Sequence, residues 1–173
     1  MRQESINIYE FDELSDDAKQ TVLENLADIN VDHEWYDFIY DDAEMIGLEI
    51  TGFSIQSHCN INPVLDHLDI SYAILKNHGK KCETHKVAQK FLNDRDKLVE
   101  KYSDGISTNK VAEDNEYDFD QECDKLENDF ILSLSEDFRI MLRESYEYLT
   151  SEQAILETID ANEYEFTLDG NIY

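Results

Sequence analysis

The fold class turns on Gly47-Leu48-Glu49-Ile50-Thr51-Gly52-Phe53-Ser54-Ile55. Upstream of it, Trp35, Phe38, Ile39, Ala43 and Ile46 recur at helical spacing. They predict a helix from about Asp32 to Ile46, and Gly47 stands where a C-terminal stop belongs. Leu48-Glu49-Ile50 and Phe53-Ser54-Ile55 each alternate, as strands with one buried face do. The phase shifts across Thr51-Gly52, which predicts a bulge or a turn. A helix that hands over to alternating strands within so few residues predicts an α+β protein.

Working outward, Ile6 to Phe11 reads as a short strand. Ser15 is a good N-cap, with Asp16 and Asp17 in the positive first turn, and Ala18, Val22, Leu26 and Ile29 follow on one face. His67 to Leu75 alternates through Leu68, Ile70, Tyr72 and Ile74 and reads as a further strand. Three or four strands are therefore expected in a small antiparallel sheet, with the first two helices packed on one face. The second half reads as helical. Val87, Ala88, Phe91, Leu98, Val99 and Tyr102 mark one helix, and Ser103 to Asn115 is a polar connection. A long pattern from Phe119 to Leu149 completes a helical hairpin, with a possible break at Ser135. Thr150 and Gln153 form a capping box for a last short helix through Ile159. Tyr164 to Leu168 alternates as a strand returning to the N-terminal sheet, and Asp169-Gly170 reads as a turn. The expectation is one domain over 1–173: a sheet-forming part to 80, a helical part over 81–162 and a returning strand over 163–173.

Composition narrows the function. A 41% apolar share supports a real core, despite a net charge of −27. Residues 1–75 hold 17 acids against 2 bases, and residues 98–173 hold 21 against 5. Only 76–97 is basic, with 7 bases against 3 acids. Direct nucleic-acid binding needs a basic face and is disfavoured, as is an anionic membrane surface. No apolar run approaches the ~20 residues of a membrane span, and Met1 to Ser5 lacks the apolar stretch of a secretory leader. Cys59, Cys82 and Cys123 are odd in number and widely spaced, which fits a reducing cytosol.

Candidate chemistry is sparse. His78, Cys82 and His85 are suitable zinc ligands within eight residues, and His58 or Cys59 could add a fourth. The spacing matches no common zinc module, and lysines at 80, 81 and 86 crowd it, so neither metal nor cofactor is expected. Cys82 with His85, or His58 with Cys59, could be drawn as a nucleophilic pair. Neither has an evident orienting residue, and neighbours on a strand face opposite ways, so no catalytic residue is assigned and an enzyme is not expected. No glycine-rich phosphate loop or EF-hand loop is present. The aromatics Trp35, Tyr36, Phe38 and Tyr40 read as core on one side and exposed tyrosine on the other, with a recognition surface as the alternative.

The most distinctive segment is Glu113 to Phe130. It holds Glu113, Asp114, Glu116, Asp118, Asp120, Glu122, Asp124, Glu127 and Asp129 against one base, Lys125. On a helix rising ~1.5 Å per residue, such a run approaches the charge density of duplex DNA, one phosphate per ~1.7 Å. It reads either as a solvated helix face or as a surface for a basic groove, with Tyr117, Tyr146 and Tyr148 as anchoring contacts.

Four stretches carry a resemblance. They are Tyr9-x-Phe11-Asp12-Glu13-Leu14-Ser15-x-x-Ala18-Lys19, Trp35-Tyr36-x-Phe38-Ile39-Tyr40-x-Asp42-Ala43, Ile46-Gly47-Leu48-x-Ile50-x-Gly52-Phe53 and Ala161-Asn162-Glu163-Tyr164-Glu165-Phe166-Thr167-x-Asp169-Gly170. Together the chain resembles small acidic proteins of bacteriophages, prophages and mobile elements. The resemblance brings no catalytic residues. It implies the company of phage genes, many of which encode inhibitors of host machinery. By that analogy the expected function is inhibition of a host nucleic-acid-handling complex in the host cell cytoplasm, as an anti-CRISPR or antirestriction protein, with DNA mimicry as the expected means. The expected partner is a host protein with a basic nucleic-acid-binding surface, met by the acidic residues and Tyr117. An antitoxin-like or regulatory interaction module is the alternative, and a zinc-dependent enzyme a more remote one.

Overall fold

The computed structural model describes residues 7–103 and 116–173. Its elements run α1 (Asp16–Asn25), α2 (Asp37–Met45), β1 (Leu48–Ser54), β2 (His58–Pro63), α3 (His67–Asn77), α4 (Glu83–Tyr102), α5 (Glu116–Leu149) and α6 (Glu152–Ala161). The chain is α+β, with a two-stranded antiparallel sheet and one long helix. It divides into two compact units, one made of 37–143 and the other of 1–36 with 144–173. These boundaries differ from the 80 and 162 expected from the sequence.

In the unit of 37–143, α2 begins at Asp37 rather than Asp32. Ile39, Ala43 and Ile46 are buried, whereas Phe38 is 59% exposed, so the inward stripe is narrower than expected. Gly47 follows the helix with φ +83°, and a Cβ there would fall 2.5 Å from the Leu65 side chain. Both constraints require glycine. β1 runs without interruption. The phase shift is a bulge, since Ile50 pairs with Ile61 and Gly52 with Asn60, leaving Thr51 over. The partner strand is β2, whose Cys59 and Ile61 are buried while His58, Asn60 and Asn62 are exposed.

The strand expected at His67 to Leu75 is instead α3. The Asp66 carboxylate caps it, accepting from Leu68 N–H at 2.9 Å. The buried positions are Ile70, Ser71 and Ile74, which is helical spacing, and Tyr72 is 58% exposed. Apolar residues at alternate positions over so short a run fit both periods, and the cap decides between them. The sheet therefore has two strands among the described residues, not three or four.

The helical hairpin is formed by α4 and α5. Phe91 and Phe130 stack at its centre, and Lys101 Nζ reaches Glu122 at 2.7 Å. Most of the expected connection between them, residues 104–115, lies outside the described residues. α5 does not break at Ser135. The Ser135 hydroxyl donates to the Cys59 carbonyl, and Arg139 Nη1 donates to the Ile55 carbonyl at 3.2 Å, so this helix is tied to the sheet end.

In the other unit, Ser15 caps α1 as expected, accepting from Ala18 N–H. Leu14, Ala18, Val22, Leu26, Ile155, Ile159 and Phe166 form its core. α6 is capped by Ser151, which accepts from Ala154 N–H at 3.3 Å, and not by Thr150, whose hydroxyl donates back to the Tyr146 carbonyl. The side chain of Asn30 bonds both the Leu149 carbonyl and the Thr158 hydroxyl. The strands expected at Ile6–Phe11 and Tyr164–Leu168 shrink to isolated antiparallel bridges, Tyr9 with Phe166 and Phe166 with Ile172. Ile6 lies outside the described residues, and Phe11–Glu13 is a 3₁₀ turn. The turn at Asp169-Gly170 forms, with Gly170 N–H donating to the Thr167 carbonyl at 2.9 Å.

Candidate functional site

α5 carries most of the acidic stretch. Glu113 and Asp114 lie outside the described residues. Of the other seven acids, Glu116, Asp118, Asp120, Asp124 and Asp129 are exposed. Glu122 and Glu127 are half-buried and turned to neighbours in the same unit. Glu122 accepts from Lys101 Nζ and from the Tyr102 hydroxyl at 3.0 Å, and these donors hold its carboxyl below the ordinary range. Glu127 lies 3.2 Å from His67 Nδ1, joining the start of α3 to α5.

The exposed acids do not form one stripe. At 3.6 residues per turn, Asp118 and Asp129 fall on one flank with Lys125 between them, while Asp120 and Asp124 fall on the other. From Glu116 to Asp129 the helix rises roughly 20 Å at ~1.5 Å per residue. Five exposed acids and Lys125 leave a net of four negative charges there. Duplex DNA of that length carries about twelve, at one per ~1.7 Å. The described face therefore has about a third of the charge density of DNA. Tyr117 is 73% exposed on α5, and Gln121 Nε2 donates to its hydroxyl at 2.7 Å. Tyr148 is 56% exposed, but Tyr146 is half-buried against Trp35, with centroids 5.7 Å apart, and is not an exposed anchor.

Lys86, Lys90 and Lys97 of the basic stretch are held in ion pairs within their own unit. Lys86 pairs with Glu83, Lys90 and Lys97 both pair with Asp94 at 2.8 Å, and Lys101 pairs with Glu122. The two lysines hold the Asp94 carboxyl below its ordinary range.

His78, Cys82 and His85 do not converge. His78 Nδ1 is 2.7 Å from the hydroxyl of buried Thr84, and its Nε2 lies 3.3 Å from Asp42, off the line of a good hydrogen bond. Both ring nitrogens thus face protein groups, which links α2, the end of α3 and the start of α4. Cys82 is exposed at the N-cap of α4, and among the described residues no three His, Cys, Asp or Glu side chains gather as metal ligands. On β2, Cys59 points inward and His58 outward. Burial pushes the Cys59 thiol up to about 11, away from the thiolate that nucleophilic attack needs. The Asp42–His78–Thr84 row resembles an acid–base–nucleophile chain in outline only, because Thr84 is 3% exposed and no substrate could reach it.

Two features escaped the sequence reading. One is Asp137 on α5, whose Oδ2 is buried without a hydrogen-bond partner. Burial, then the charges of Glu83 and Glu136, push its carboxyl up to about 6, against a smaller opposing effect of Lys86. The other is an open groove of about 960 Å³ in the unit of 1–36 with 144–173. Phe11, Leu156, Ile159 and Tyr164 make its apolar floor. Glu10, Asp12, Asp160, Glu163 and Glu165 surround it, all exposed, and among the described residues no base lines it. It brings the 3₁₀ turn beside α6, a pairing that no local pattern announces. No helix among the described residues is long and apolar enough to cross a membrane. Comparison with protein-family models, curated proteins and solved structures gave no match to this chain.

Proposed function

We propose that the chain is an inhibitory binding protein of the phage type, which acts in the host cytoplasm on a nucleic-acid-handling complex and carries out no catalysis. A CRISPR effector or a restriction enzyme is the concrete target. The observation that carries this reading is the set of exposed carboxylates on the first turns of α5, with Tyr117 among them, on a chain of net charge −27. Such a surface is attracted to a basic groove over a Debye length of ~8–10 Å and associates fast. The charge density on α5 favours steering and partial occlusion of a nucleic-acid site over a full replica of a duplex.

The test is an affinity capture from host lysate with the intact chain, washed at low and then moderate salt. A nuclease or CRISPR effector that elutes with salt or with added DNA supports the reading. Retention unchanged by ionic strength or by DNA overturns it. A second reading, an antitoxin-like or regulatory module with a conventional interface, is supported by a separate observation. Met45, Val64 and Leu65 are 61%, 66% and 48% exposed. The N–H groups of Val64 and Leu65 donate to the Gly47 carbonyl, which sets them beside the end of α2. A partner held there would resist both salt and DNA.

A further inference from the structure

The groove between the 3₁₀ turn and α6 lies outside the acidic stretch of α5 and calls for an occupant of mixed character. Its floor is fixed in place. Ile159 is 4% exposed and belongs to the core, and Phe11 meets Phe166 edge-on with centroids 6.4 Å apart. Phe11, Leu156 and Tyr164 are half-buried, so apolar surface stays in contact with water within the groove. Glu163, just beyond the end of α6, has φ +50°, and this turn of the chain brings Tyr164 and Glu165 to the groove. Lys19 lies over the Phe11 ring at 5.7 Å and is not part of the lining.

We infer that this groove binds a segment of a partner protein in which arginine or lysine alternates with apolar residues. The floor needs apolar side chains to remove it from water, and the five surrounding carboxylates need cationic groups that donate to them in place of water. A purely apolar ligand would strip hydration from the carboxylates without replacing it. A small polyvalent cation would leave the floor wet. Arginine suits the rim especially, because its planar fork meets a carboxylate through two hydrogen bonds while its stem lies on apolar surface. Anionic membranes and nucleic acids are repelled by the same rim. The volume, near the upper end of ordinary ligand pockets, accommodates several residues. The inference goes beyond the reading of α5 and does not depend on what α5 meets.

Fluorescence anisotropy of a labelled peptide alternating arginine and leucine, titrated with the full chain at about 0.15 M salt, where exposed charges are screened over ~8 Å, tests it. Asp160→Asn, Glu163→Gln and Glu165→Gln together should weaken binding about tenfold or more. Asp118→Asn, Asp120→Asn and Asp124→Asn on α5 remove the same charge and, because none of them lines the groove, should leave the affinity within about twofold. A peptide alternating arginine and serine should also bind about tenfold more weakly than the leucine peptide, because the floor is left uncovered. Equal weakening by the two triple variants, equal binding of the two peptides, or no binding of the leucine peptide would each overturn the inference. A failure of the lysate capture with intact peptide binding would count against the α5 reading alone.

Discussion

Phe91 on α4 stacks against Phe130 on α5, with ring centroids 4.4 Å apart and planes 19° from parallel. Both are almost fully buried, at 2% and 3% exposure. This pair is the apolar centre of the hairpin, and polar contacts such as Lys101 with Glu122 lie toward its solvated end. Phe130→Ala should therefore lower stability by about 3–5 kcal/mol, as large aromatic truncations in cores do. Urea unfolding followed by circular dichroism measures it. An unchanged midpoint would mean that α4 and α5 are not held together at this pair.

His78 reports on a different kind of tie. Its Nδ1 meets Thr84 Oγ1 at 2.7 Å, and Thr84 has almost no exposure. Thr84→Val keeps the shape and deletes the hydroxyl, which leaves a buried imidazole nitrogen unpaired. The expected cost is about 1–3 kcal/mol. Thr51→Val, at the exposed bulge of β1, is the matched control and should stay within about 0.5 kcal/mol. Equal effects at the two sites would show that the His78 contact contributes nothing.

The sequence was most legible where capping and period agree. Ser15 with the stripe Ala18, Val22 and Leu26 defines α1, and both the bulge at Thr51 and the turn at Gly170 follow from local chemistry. α3 was misread because Leu68, Ile70, Tyr72 and Ile74 alternate, although Asp66 was available as a cap. β2 was overlooked because only Cys59 and Ile61 of its six residues are buried apolar groups. The charge on α5 could be counted but not placed. That Glu122 and Glu127 face Lys101 and His67 depends on side chains far away in the chain. The groove was beyond reach for the same reason, since Phe11 and Leu156 come from opposite ends of the sequence.

The three thiols should differ in reactivity. Cys82 is exposed, Cys123 is half-buried, and Cys59 is 2% exposed on the inner face of β2. Burial raises the thiol pKa at both Cys123 and Cys59, to about 11 at the latter, and reduces the reactive thiolate. Timed iodoacetamide labelling read by mass spectrometry should modify Cys82 first and Cys123 next. Cys59 should react only as fast as the structure opens. Labelling of Cys59 at the rate of Cys82 in native buffer would contradict the placement of β2.

Asp137 predicts a pH dependence whose sign follows from its environment. An aspartate in the unfolded chain titrates near ~3.9, whereas here burial and the neighbouring acids Glu83 and Glu136 raise it to about 6. The folded state thus holds the proton more tightly than the unfolded one. That contribution to stability is fully present below ~4 and is lost as pH rises through about 6. Asp137→Asn removes the ionisation at nearly constant shape. It should raise stability at pH 7.5 by on the order of 1 kcal/mol, a figure reduced from the full shift because the side chain is partly solvated. The gain should vanish near pH 4, where the native carboxyl is also neutral. Asp120→Asn, an exposed change of equal charge, separates this local effect from relief of the overall negative charge. Urea midpoints of the three proteins at both pH values decide it, and a gain for Asp137→Asn no larger than for Asp120→Asn would rule out a buried, costly carboxylate at this position.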